Sequence, residues 1–138
     1  VNRARILLAD DHDEMRDRVK RHLEQEFEVL DPVEDGIALL EAAARLSPDV
    51  CLLDVSMPVL DGIETATRLR ESGSTAKIVF LTIHEDLDFV QAALKTGASA
   101  YVIKRRMVSD LRPAIREALA GRTFVSSSIA SGGKHGLN

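Results

Sequence analysis

Four short apolar runs constrain the fold of this chain more than any other feature. They are residues 4–10 (ARILLAD), 50–55 (VCLLDV), 77–82 (KIVFLT) and 100–104 (AYVIK). Each is nearly continuous rather than alternating, as expected for strands covered on both faces of a parallel sheet. A weaker fifth strand is read at 27–33 (FEVLDPV), where Pro32 points to a strand end or an edge. Helical repeats fill the gaps. Met15, Val19, Leu23 and Phe27 recur every four residues. Ile37, Leu40 and Ala44 mark a second helix, and Ile63, Ala66 and Leu69 a third. Val90, Ala93 and Leu94 mark a fourth, stopped by Gly97; Val108, Leu111, Ile115 and Leu119 mark a fifth, closed by Gly121. Asp61 followed by Glu64 predicts a capped start for the third helix. Strand and helix thus alternate five times. Right-handed crossovers make this an α/β fold, an open doubly wound five-stranded parallel sheet with five flanking helices.

The 138 residues suit one domain, expected over 1–122, and the Ser/Gly-rich residues 123–138 read as a linker or frayed tail. A net charge of −4 argues against a chain that binds nucleic acid by overall charge. No apolar run approaches the roughly 20 residues of a membrane span. Residues 1–5 lead into the first strand without a signal-peptide pattern. Cys51 is the only cysteine, so no internal disulfide can form, and its apolar setting predicts a buried, reduced thiol. A cytoplasmic location is expected.

In an open parallel sheet, ligands bind beyond the carboxyl ends of the strands. Those ends carry Asp10 and Asp11, Asp54, Thr82 and Lys104. One acid would suffice to cap a helix; three in one crevice repel and raise one another's pKa. A hard divalent cation removes that conflict, and oxygen ligands with retained water suit Mg²⁺, or Mn²⁺. Lys104 would offset the remaining charge. An aspartate beside a metal can act as a nucleophile and form an acyl phosphate. Thr82 could donate its hydroxyl to a phosphate oxygen.

Taken together, LLADDH, LLDVSMPVLDGIE, KIVFLT and GASAYVIK resemble the receiver domains of bacterial two-component response regulators. The likeness spans roughly residues 3–122. DVSMPVLDGIE and GASAYVIK are most similar to the NarL/FixJ type, in which a receiver precedes a LuxR-type helix-turn-helix domain. The resemblance implies the strand order 2-1-3-4-5, as in flavodoxin and CheY. It implies that Asp54 accepts phosphate from a sensor histidine kinase. It also implies that Asp10, Asp11, Asp54 and the backbone carbonyl of Ser56 hold Mg²⁺, while Lys104 pairs with the phosphoryl group. Thr82 and Tyr101 would form the switch pair, though a tyrosine at a strand edge also serves for packing. His84, two residues beyond Thr82, is placed at the pocket rim or in a plain surface loop. Arg105 and Arg106 read as a solvated basic run.

The implied function is a phosphorylation switch, not a turnover enzyme. It would control a transcriptional output domain that this chain lacks, so DNA binding belongs to a longer parent. A homodimer through helices one and five, or through the helix four to helix five face, is a further implication. Many relatives have proline after the strand-five lysine, often with a cis bond. A cis Lys104–Arg105 bond is therefore expected. Competing readings are a stand-alone or atypical receiver regulated by protein binding, and a haloacid-dehalogenase-type phosphatase. Asp11 and Asp13 form D-x-D, but Met15 sits where that second family wants Thr or Val. A flavodoxin-like cofactor binder would need a glycine-rich loop after the first strand, which is missing.

Overall fold

The computed structural model describes residues 3–126. Five strands form at the apolar runs: β1 (Arg5–Ala9), β2 (Glu28–Val29), β3 (Val50–Leu53), β4 (Lys77–Thr82) and β5 (Ala100–Ile103). The helices are α1 (Asp13–Leu23), α2 (Gly36–Leu46), α3 (Gly62–Glu71), α4 (Leu87–Lys95) and α5 (Met107–Leu119). A sixth strand, β6 (Phe124–Val125), pairs in parallel with β5, giving the order β2-β1-β3-β4-β5-β6. The five-stranded expectation is therefore corrected to six. Two residues are too few to show a period, and the serines after them masked the strand. The remaining linker expectation, residues 127–138, lies outside the described residues.

Alternate residues of each central strand feed two separate cores. Leu7, Cys51, Leu53, Ile78, Phe80 and Ile103 pack under α2, α3 and α4. Ile6, Leu8, Leu52, Val79, Leu81 and Val102 pack under α1 and α5. This two-sided burial explains why the strands read as continuous apolar runs. Cys51 is fully buried, and burial pushes its thiol up to about 12. The native thiol is thus expected to resist a thiolate-dependent reagent at pH 8 and to react promptly once the chain is unfolded in urea.

Helix faces differ from the simple four-residue repeats. In α5, Met107, Leu111, Ala114, Ile115 and Ala118 are buried, whereas Val108 is 67% exposed. In α2, Leu39, Ala42 and Ala43 are buried, and Ala44 is exposed. In both helices small alanines let the backbone approach the sheet, and a repeat of larger residues misplaces that face. Asp61 caps α3 as expected, accepting from the Glu64 amide at 2.8 Å. Glu64 itself turns to Arg68 rather than back to the cap.

Every peptide bond among the described residues is trans, so the expected cis Lys104–Arg105 bond is corrected. Without proline the trans form is favoured by about 3–4 kcal/mol. Here Lys104–Arg106 forms a 3₁₀ turn closed by the Met107 amide on the Lys104 carbonyl.

Candidate phosphoacceptor site

Strand register brings the acids together. Ala9 is opposite Leu53 in the β1–β3 pair, so the next residues, Asp10 and Asp54, leave adjacent strands side by side. Thr82 is opposite Ile103, which places it beside the residue preceding Lys104. Asp10, Asp54 and Thr82 are all buried. Lys104 Nζ lies 2.7 Å from Asp54 Oδ2 and 3.1 Å from Asp10 Oδ2. Burial alone would lower the pKa of Lys104, but hydrogen bonds and attraction from Asp54 and Asp10 outweigh it and raise the value.

Backbone and loop groups fix the carboxylates. The Ser56 amide donates to Asp54 Oδ1 at 3.1 Å, and the His12 amide donates to Asp10 Oδ1 at 2.9 Å. Arg16 on α1 donates to the Asp10 carbonyl at 2.7 Å. Gly62 is required behind the site, because a Cβ there would run into the Asp54 carbonyl. In the same loop Val59 is the centre of a γ-turn, with φ of 70° and the Leu60 amide on the Pro58 carbonyl. A β-branched residue is strained there. Val59→Gly is expected to stabilise the chain by about 1 kcal/mol, read as a higher urea midpoint at unchanged m-value.

The donor set fits a hard cation. Asp10, Asp11 and His12 offer ligand atoms within 4.8 Å of one another, and Asp54 adds a buried carboxylate. One ammonium faces two buried carboxylates, leaving negative charge for a divalent ion to balance. The site opens into a groove of about 1000 Å³ lined by Asp11, Asp54, Lys104, Met57, Ile83 and Phe89. Ser56 Oγ and His84 Nε2 meet at 2.7 Å beside that groove, and the His84 ring packs against Phe89 at 4.5 Å.

A model of the response regulator receiver domain matches residues 6–116, most of the chain. The chain belongs to the response regulator receiver family. The receiver is 35% identical to the transcriptional regulatory protein DegU of Brevibacillus brevis over 130 residues, 93% of this chain and 55% of DegU. It is likewise 35% identical to the nitrate/nitrite response regulator NarL of Escherichia coli K12 over 128 residues, 91% of this chain and 59% of NarL. The receiver therefore spans little more than half of these regulators. A two-component response regulator of the LuxR family from Aurantimonas sp. SI85-9A1 superposes with a TM-score of 0.90 at 32% identity, covering 94% of each chain. The chain is a receiver of two-component response regulators, NarL/LuxR type.

The expected site residues divide into groups. Asp10, Asp54 and Lys104 are in direct contact, and Asp11 is at the groove beside them. Tyr101 is fully buried and donates to the His84 carbonyl at 2.8 Å. Burial, then the charges of Asp54 and Asp86, raise its pKa. Thr82 Oγ1 accepts from the His84 amide over a long 3.4 Å. Arg105 is exposed and pairs with Glu85 at 2.6 Å, a surface contact of small energetic weight. Sequence reasoning missed Arg16 and the Ser56–His84 bond, since neither residue pair has a spacing that announces contact.

Proposed function

We propose that Asp54 accepts a phosphoryl group from the phosphohistidine of a sensor kinase. The observation that carries this is the Lys104 ammonium set between Asp54 and Asp10 at the carboxyl end of the sheet. An Asp54 carboxylate oxygen attacks phosphorus, the O–P bond forms, the P–N bond breaks, and the leaving imidazole takes a proton from solvent. Lys104 then balances charge on the phosphoryl oxygens. Asp10, Asp11, Asp54 and the Ser56 carbonyl would hold Mg²⁺, which supplies charge neutralisation when bound.

Thr82 donates its hydroxyl to the new phosphate, and Tyr101, already inward, locks the loop after β4 through His84. His84 stands at the rim. The domain assists its own phosphorylation and is not a turnover enzyme. It acts in the cytoplasm, and a longer parent carries the DNA-binding output. Incubation with acetyl phosphate and Mg²⁺, followed by intact mass, tests this. One phosphoryl adduct that disappears with chelator is expected; an unmodified chain under both conditions counts against it. Continuous release of inorganic phosphate from an aryl phosphate would point instead to a phosphatase.

A further inference from the structure

The short strand β6 grips β5 at the residues that link the phosphoacceptor pocket to the switch tyrosine. The Phe124 amide donates to the Ser99 carbonyl and the Ser126 amide to the Tyr101 carbonyl, both at 3.0 Å. The Ile103 amide donates to Ser126 Oγ at 3.0 Å. In a continuing parallel strand the Ser126 carbonyl would take that bond. The hydroxyl takes it instead, which ends the ladder. Ser126 is fully buried, and its side chain is among the groups that hold the pKa of the buried Asp110 carboxylate on α5 down. Asp110 is held further by Ser109 Oγ at 2.9 Å and by Arg106 Nε at 3.1 Å. Burial would raise the Asp110 pKa, but these partners outweigh it and lower the value.

Tyr101 is therefore held at both ends. Its phenol is fixed by the loop after β4, at His84, and its carbonyl by Ser126. Ile103, gripped by the Ser126 hydroxyl, directly precedes Lys104. We infer that Phe124–Ser126 is a strap that couples the Asp54 pocket to the β5–β6 edge of the sheet, with Ser126 as its positioning residue. The inference rests on the phosphoacceptor reading of Asp54. New acceptor oxygens on Asp54 hold Lys104, and with it the end of β5, more firmly. Openings that break the Ile103–Ser126 bond become rarer. By reciprocity, loosening the strap must disturb the pocket.

Residue-resolved amide exchange, with intact mass read on the same sample, tests the coupling. With acetyl phosphate and Mg²⁺, the adduct should bring at least about threefold slower exchange at Ile103 and Ser126. Ser126→Ala should form the adduct but lose that slowing, and Ser126→Thr should restore it. An adduct with unchanged exchange at these amides overturns the inference. Absence of any adduct would refute the Asp54 reading instead, and the unmodified chains then decide the strap. Ser126→Ala must shift the Thr82 and Glu85 amide resonances, which report on the loop that holds Tyr101. Loosening confined to residues 103 and 124–126 overturns the coupling.

Discussion

Asp54→Asn is expected to abolish phosphoryl uptake from acetyl phosphate, a fall of at least about a hundredfold, while the fold persists. The amide has no anionic oxygen to attack phosphorus and cannot form the acyl phosphate. It still matches the carboxylate in shape. Its oxygen can accept the Ser56 amide, and Lys104 keeps Asp10 as a partner. The far-ultraviolet circular dichroism should therefore match that of the wild type. An adduct of wild-type yield on the Asp54→Asn chain would move the acceptor elsewhere in the acidic cluster.

The second large effect concerns stability. Lys104→Met removes the ammonium that both buried carboxylates share, yet leaves the carboxylates in place. Breaking a buried pair in this way destabilises by about 3–5 kcal/mol, because the remaining charge has lost its partner. Urea unfolding in the presence of a chelator should show that loss. Added Mg²⁺ should recover part of it, since a ligand bound only by the folded chain stabilises by mass action. The pH dependence has a definite sign. The folded-state pKa of Lys104 is raised, so its contribution is complete below the unfolded lysine value and is lost as pH rises through the folded one. The difference between wild type and Lys104→Met should thus be full at pH 7 and shrink only in strong alkali. An equal stability of the two chains in chelator at pH 7 would show that Lys104 does not neutralise the site.

The acidic site was legible because each member follows an apolar strand. Strand ends in a parallel sheet share one edge, so the order of the runs brings Asp10, Asp54 and Lys104 together and puts Thr82 at the same edge, where its hydroxyl meets the His84 amide. The buried thiol of Cys51 was legible for the same reason. What remained hidden depends on bonds with no sequence period. Ser126 looks like any linker serine, yet it is fully buried because its hydroxyl finishes the β5–β6 ladder. Asp110 falls on the buried face of α5, where a carboxylate is unexpected until its partners on Arg106 and Ser109 are seen. A repeat of large residues misplaces the phase of α5, because Val108 is larger than Ala114 and Ala118 although the alanines lie on the buried face. The lysine-to-arginine peptide bond followed its own chemistry rather than that of proline-bearing relatives.

The position of the phosphoryl group is the most direct test of the account. The chain is treated with acetyl phosphate and Mg²⁺, and the acyl phosphate is reduced with borohydride, which turns a phosphorylated aspartate into homoserine. Peptide sequencing by mass spectrometry then finds the altered residue. Homoserine at position 54 alone is the predicted result. Homoserine at position 10 or 11, with residue 54 still aspartate, would contradict it.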